Sequence, residues 1–512
     1  MLESRFWMSA LAVCTFTDLG HAQATTLSDD YHAGIYGWSA YGGAYETAAA
    51  AGDVSFQASG SASASFDFFF QDVSGPVFLP GQGFSASYHV NSEGMMSLDL
   101  GGGDIWDCWV PPDANVLHYA RTTAIEEAEH MVLVKKSTGM SNASLVGNYR
   151  FVTYWIDWWS PTGPHYTRLV GAASFDGSGT VSLSGIETEV TGGVATSVPL
   201  LESGPYHVAS DGTFSYGGTC SVPSPSCDVG AVTADGEFGY AIVAGLGQAV
   251  GMTLFVRENA APDLQQLAGR YGFTTHTIVG GAVETCLGSA DVNAASATSG
   301  SWTGYERYAT SSATGVSLLN NSFAAQNLTA VGGALENGTG GFVDDRLWIS
   351  SNYRYVIGAS LDFEDRSSGG MGIGVTLCTR MAPAPALFGS PTAGGAGAPQ
   401  ISTVGFALPG NSAFGFQVCN GLPSGIALLP VATAASTGFP VLGGQIFLDP
   451  ATLGPVFLVL LDPAGCGVAS LPIPNNPALS GLELFSQGVL LDPTTSGGFA
   501  MSAAVGVEIG AF

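Results

Sequence analysis

The chain has 512 residues, of which 46% are hydrophobic and only 11% charged, so composition excludes a disordered chain. Lys and Arg total 13 against 41 Asp and Glu, a formal charge of −28 that excludes nucleic acid as a partner, because phosphate neutralisation needs clustered cations. The 72 glycines follow no G-X-Y period, which excludes collagen.

The first 24 residues read as a secretory signal peptide: Arg5, an apolar run from Phe6 to Val13, and the Ala22-Gln23-Ala24 cleavage pattern. Glu3, Thr15, Thr17 and Asp18 depart from the ideal pattern. No later apolar stretch, Pro455 to Leu461 included, is long enough for a transmembrane helix. Terminal Phe512 raises an outer-membrane β-barrel. Its own face carries Gly510, Glu508 and Gly506, whereas lipid-facing positions should be apolar.

Three segments then open alike, at Gly34-Ile35-Tyr36, Gly147-Asn148-Tyr149 and Gly269-Arg270-Tyr271. A second anchor follows each, at Gly52 to Phe56, Gly171 to Phe175 and Gly288 to Val292. Tyr88-His89-Val90 recurs as Tyr206-His207-Val208, and each unit closes on an apolar run with a basic end (Met131 to Lys136, Met252 to Arg257, Ile373 to Arg380). Ordered anchors of this kind predict tandem domains at 28–140, 141–260 and 261–382. Asp176-Gly177, Asp211-Gly212 and Asp235-Gly236 read as tight turns between strands of alternating polarity, such as Phe238, Tyr240 and Ile242. The fold class expected is all-β: three antiparallel barrels or sandwiches of roughly seven to nine strands, with closure favoured because it removes edges.

Past Arg380 the composition changes. Residues 381–512 contain no Lys or Arg and follow a Pro/Ala/Gly linker at Met381 to Pro385, then alternate apolar strands with Asp-Pro turns. A separate β-sandwich over 387–512 is expected.

Seven cysteines follow the signal. Cys220 and Cys227 bracket a short loop and are the first candidate disulfide; Cys419 with Cys466, and Cys286 with Cys378, are the only pairs within the tail and third repeat. Cys108 is left over as a buried thiol. No Cys/His spacing suggests zinc, no calcium loop appears, and no cofactor is implied.

The candidate binding residues lie in Tyr154-Trp155-Ile156-Asp157-Trp158-Trp159 and the following Tyr166. In a strand, Trp155, Asp157 and Trp159 share a face, where indoles flanking a carboxylate could stack on a sugar ring. The structural alternative is that one face is core and the other covers a neighbouring domain. Trp106 to Trp109 is a smaller version. Three acidic clusters (Glu126, Glu127 and Glu129; Asp344 and Asp345; Asp362, Glu364 and Asp365) raise glycoside hydrolysis but read as solvated loops. No catalytic motif is present.

Residues 387–512 resemble a C-terminal module of large secreted bacterial proteins of mostly unassigned function, through Leu471-Pro472-Ile473-Pro474-Asn475, Leu479-Ser480-Gly481, Gln487 and Leu491-Asp492-Pro493. The resemblance implies export and surface retention or sorting. That module carries a Gly-Cys pair where this chain has Gly444-Gln445. The repeats also resemble lipocalin-like barrels in size and in their Gly-x-aromatic opening. Together these observations lead to a secreted or cell-surface, non-enzymatic structural or binding protein. The alternatives are carbohydrate or small-ligand binding by the second repeat, a secreted hydrolase, and an outer-membrane barrel.

Overall fold

The computed structural model describes residues 27–509 apart from short inter-strand segments, the longest being 122–126, 158–164, 339–344, 361–371 and 408–413. The expected signal peptide, Phe512, Trp159 and the acidic cluster at 362–365 lie outside the described residues.

Alternating polarity and Asp-Gly turns produce three closed antiparallel barrels of eight strands each. The first contains β1 (Asp30–Tyr41), β2 (Ala44–Gln57), β3 (Ser61–Asp72), β4 (Gly75–Val90), β5 (Met95–Gly101), β6 (Asp104–Trp109), β7 (Val116–Arg121) and β8 (Glu127–Lys135). The second contains β9 (Val146–Asp157), β10 (His165–Asp176), β11 (Thr180–Thr191), β12 (Val194–Val208), β13 (Thr213–Tyr216), β14 (Asp228–Val232), β15 (Phe238–Ala244) and β16 (Ala249–Arg257). The third contains β17 (Gly269–Val279), β18 (Ala282–Ala294), β19 (Ser299–Ser312), β20 (Gly315–Val331), β21 (Ala334–Gly338), β22 (Asp345–Ile349), β23 (Tyr355–Ser360) and β24 (Gly372–Pro383). In each barrel the first strand pairs with the last, so no edge is left open. Gly177, Gly212 and Gly236 adopt φ of 76°, 94° and 68°, the left-handed region for which the Asp-Gly turns were read.

One device latches an end of every barrel. Tyr31, Tyr149 and Tyr271 donate their hydroxyls across the barrel to the carbonyls of Ala114, Gly236 and Tyr353, at 2.9, 2.8 and 3.0 Å. Those three acceptor residues all have positive φ. The latch corrects the first anchor: the equivalent of Tyr149 and Tyr271 is Tyr31, and Tyr36 lies five residues beyond it. Gly34-Ile35-Tyr36 matches the other openings in residue type but not in place. The second anchor is in register, since Gly52, Gly171 and Gly288 pair with Ala33, Phe151 and Phe273. Beside the latch, Phe56 meets Tyr31 and Tyr88 edge-on, and Phe175 meets Tyr149 and Tyr206 the same way.

Both faces of several strands are buried, because the barrels pack on one another in a head-to-tail ring. First and second strands of one barrel meet the closing strands of the next: β1 and β2 lie on β15 and β16, β9 on β23 and β24, and β17 and β18 on β7 and β8. In β8, Met131 and Leu133 point into the barrel while Val132 and Val134 join the core shared by all three barrels. Close approach needs glycine: a Cβ on Gly34 would stand 2.3 Å from the Tyr240 ring, and one on Gly272 would stand 2.4 Å from Trp109 Cβ. At the centre Tyr36, Tyr154 and His276 occupy equivalent positions, with ring centroids 4.7–5.6 Å apart.

The tail forms a five-stranded sheet of β25 (Ala386–Phe388), β34 (Phe499–Glu508), β33 (Glu483–Leu491), β28 (Ile426–Ala432) and β31 (Leu453–Leu460). A three-stranded sheet of β26 (Gln400–Val404), β27 (Gly415–Cys419) and β32 (Gly467–Ser470) shares a core with it through Phe416, Val418, Leu429, Val459 and Val505. The last strand thus belongs to an open sheet. Gln487 is fully buried and satisfied, donating to the Gln445 and Ser502 carbonyls and accepting from the Phe447 N–H.

Cys220–Cys227 and Cys419–Cys466 are disulfides. Cys286 and Cys378, paired by elimination in the sequence, are separate thiols. They sit on β18 and β24, which flank β17 on opposite sides, opposite Thr275 and Phe273. Two inter-strand spacings, roughly 9.5 Å, exceed the reach of a disulfide.

Candidate functional site

Barrels 1 and 2 each enclose a cavity lined by inward-facing strand residues. Strand alternation selects the lining. In β9, Phe151, Thr153 and Trp155 point inward, while Val152 and Tyr154 join the inter-barrel core. The barrel 2 cavity measures about 600 Å³ and is walled by Trp155, Phe175, Phe214, Tyr216 and Phe255, among others. Thr153 and Thr253 share a 2.8 Å hydrogen bond on its wall. Its acidic residues are Glu202 of β12, which is exposed, and Asp228 of β14, which is partly buried. Tyr216 donates its hydroxyl to Glu202 at 2.6 Å. Burial, reinforced by the Glu202 charge, pushes the Asp228 carboxyl up to about 7, which leaves it a proton donor or acceptor near neutrality. The Cys220–Cys227 disulfide fixes the segment before β14, and Cys227 itself lines the cavity.

The barrel 1 cavity measures about 340 Å³ and is lined by Ile35, Phe66, Phe68, Leu98, Trp106 and Met131, with charge at one end. There Arg121 makes a bidentate pair with Asp104, both contacts 2.8 Å, and donates to Glu129 at 2.7 Å. The guanidinium lies 5.8 Å from the Trp106 ring centroid. Glu129 is therefore a barrel residue on β8, which corrects its reading as a solvated loop; Glu127 is on the same strand and Asp345 opens β22.

The structure divides the predicted binding stripe. Trp155 lines the cavity, Asp157 is the last residue of β9, and Tyr166 of β10 packs against the inter-barrel core. Tyr166 thus stands on the opposite side of the sheet from Trp155, because it pairs with Ile156. Cys108 is a buried thiol inside barrel 1, and Trp109 packs outward on Gly272. Sequence reading missed Arg121, Glu202 and Asp228. A lone Arg closing the apolar strand Val-Leu-His-Tyr-Ala-Arg was the available signal for the first.

A second polar cluster joins barrels 1 and 3. His118 contacts Thr274 and Thr379 at 3.0 and 2.8 Å, and His130 contacts Thr274 at 2.7 Å. His276 contacts Thr285 at 3.4 Å. Burial holds His118, His130 and His276 down at about 3, 4 and 3, so all three are neutral at physiological pH. Tyr36 Oη, Tyr154 Oη and His276 Nε2 lack hydrogen-bond partners among the described residues.

No family model matches the chain, and no curated protein matches it. Among solved structures it is similar to the Helicobacter pylori beta clamp in complex with carprofen, at 8% identity over 68% of this chain and 91% of that one. With a TM-score of 0.09, that likeness carries no argument.

Proposed function

We propose that this is a non-enzymatic binding protein of the cell surface or extracellular space, which holds small, largely apolar ligands inside its barrels. The observation that carries the reading is the barrel 2 cavity. About 600 Å³ is within the range of small-molecule sites, and aromatic walls with a few convergent polar groups are their usual lining. The inter-barrel ring supports the scaffold role, since rigid packing on the outer faces holds the strands that shape the cavity. Two disulfides and the leader-like first 24 residues support an oxidising, extracytoplasmic setting. Under this reading the cation-free C-terminal sandwich serves export or surface retention.

A neutral apolar fluorophore, N-phenyl-1-naphthylamine, tests the proposal. It should brighten on binding and quench Trp155, and Trp155→Ala should weaken it several-fold. Absence of saturable binding to the mature chain would refute the carrier reading. A sugar ring is the second occupant the lining supports, because Trp155 and Tyr216 offer stacking faces beside the acceptors of Glu202 and Asp228. Binding in a glycan screen that is lost in Trp155→Ala would select that reading instead.

A further inference from the structure

We propose that the barrel 2 cavity selects amphipathic cations, an amine or quaternary ammonium group carried on an aromatic or alkyl body. The inference rests on the carrier reading and names the ligand class of that site. Its basis is the charge of the lining. Glu202 and Asp228 both contribute to the cavity wall, and none of the described residues lining it is Lys, Arg or His. Two arginines of these strands are directed elsewhere. Arg168 precedes inward-facing Leu169 and pairs with outward-facing Tyr154, and Arg150 is tied to Glu258.

Asp228, partly buried in the wall, and Glu202, exposed at it, both favour an entering cation and oppose an anion, and the Asp228 charge is the less screened of the two. The walls add a second attraction. Trp155, Tyr216 and the phenylalanines present π faces, which bind ammonium groups electrostatically, more strongly when both partners are desolvated. A neutral ligand gains only the area term. Asp228, poised near 7, gives the site a proton linkage: a bound cation favours its ionised form, so affinity should rise with pH through neutrality.

Barrel 1 provides the internal contrast. Its cavity already contains a guanidinium bound by two carboxylates, so an incoming cation meets Arg121 in place of acids that have no cation among the described lining residues.

Calorimetric titration of the full chain with decyltrimethylammonium, decanol and decyl sulfate, below their micelle concentrations at pH 6 and pH 8, decides the matter. The expected result is at least about tenfold tighter binding of the ammonium than of decanol, with decyl sulfate weakest and a larger preference at pH 8. Asp228→Asn and Glu202→Gln, made singly and together, should erase the preference while leaving decanol affinity within about twofold. Equal affinity for decanol and the ammonium would overturn the inference and leave the carrier reading intact, as would a preference surviving in the double variant. Failure of all three probes to bind would remove both.

Discussion

Barrels 1 and 2 share eight antiparallel strands, a tyrosine latch and an aromatic triad beside it, yet their cavities carry opposite electrostatic solutions. Barrel 1 buries Arg121 between Asp104 and Glu129. Barrel 2 leaves Glu202 and Asp228 without a cation among the described cavity-lining residues. The frame is thus set by residues that repeat, and the charge of each cavity by residues that do not. Under the proposed reading folding and binding are separable, which is the general relation between a scaffold and the site grafted on it.

The comparison breaks most readily at its charged ends. Arg121→Met should cost about 3–5 kcal/mol in urea denaturation, because it leaves two half-buried carboxylates uncompensated. Asp228→Asn should have the opposite sign at pH 8, raising the denaturation midpoint. If both variants shift stability in the same direction, the electrostatic contrast is wrong.

The pH dependence sharpens it further. Asp228 has a folded pKa of about 7, above its unfolded value near 3.9, so its favourable contribution is complete below about pH 4 and lost as pH rises through 7. The histidines between barrels 1 and 3 run the other way. Their folded values of about 3, 4 and 3 lie below the unfolded value near 6.5, so their contribution is complete above that pH and lost on acidification towards 4. Denaturation curves at pH 4.5, 6.5 and 8 should show acid loss that weakens in His130→Gln, and alkaline loss that disappears in Asp228→Asn.

The disulfides differ in predictable degree. Cys419–Cys466 closes a separation of 47 residues and Cys220–Cys227 one of 7, so Cys→Ser variants should cost about 4 and about 2.5 kcal/mol on the chain-entropy model. The smallest effect tests what the barrels share. Tyr31→Phe and Tyr149→Phe each strand one carbonyl, so the two should cost a similar amount, about 1–2 kcal/mol, in differential scanning calorimetry.

The legible parts of the molecule were the local ones. Strand alternation and Asp-Gly turns depend on neighbours in sequence, so three antiparallel β repeats, the distinct tail and the turn at Asp235-Gly236 could be read directly, while barrel and sandwich stayed undivided because closure is a long-range pairing. Trp155 was identified for its indole, but its inward aim depends on barrel closure. Arg121 and Glu129 are brought together by β7 and β8, and Glu202 and Asp228 by strands on either side of β13. No sequence spacing encodes such meetings. Cys286 and Cys378 failed for the same reason, since counting cysteines ignores the strand between them. Tyr36 misled because it repeats a residue type at the central contact, where its equivalents are Tyr154 and His276.

A crystal structure of the mature chain soaked with a bromoalkyl trimethylammonium tests the central claim most directly. Bromine anomalous density inside barrel 2, beside Trp155 and Phe214, with the ammonium directed at Glu202 and Asp228, is the predicted result. Density confined to the protein exterior, or a barrel interior filled by its own side chains, would contradict it.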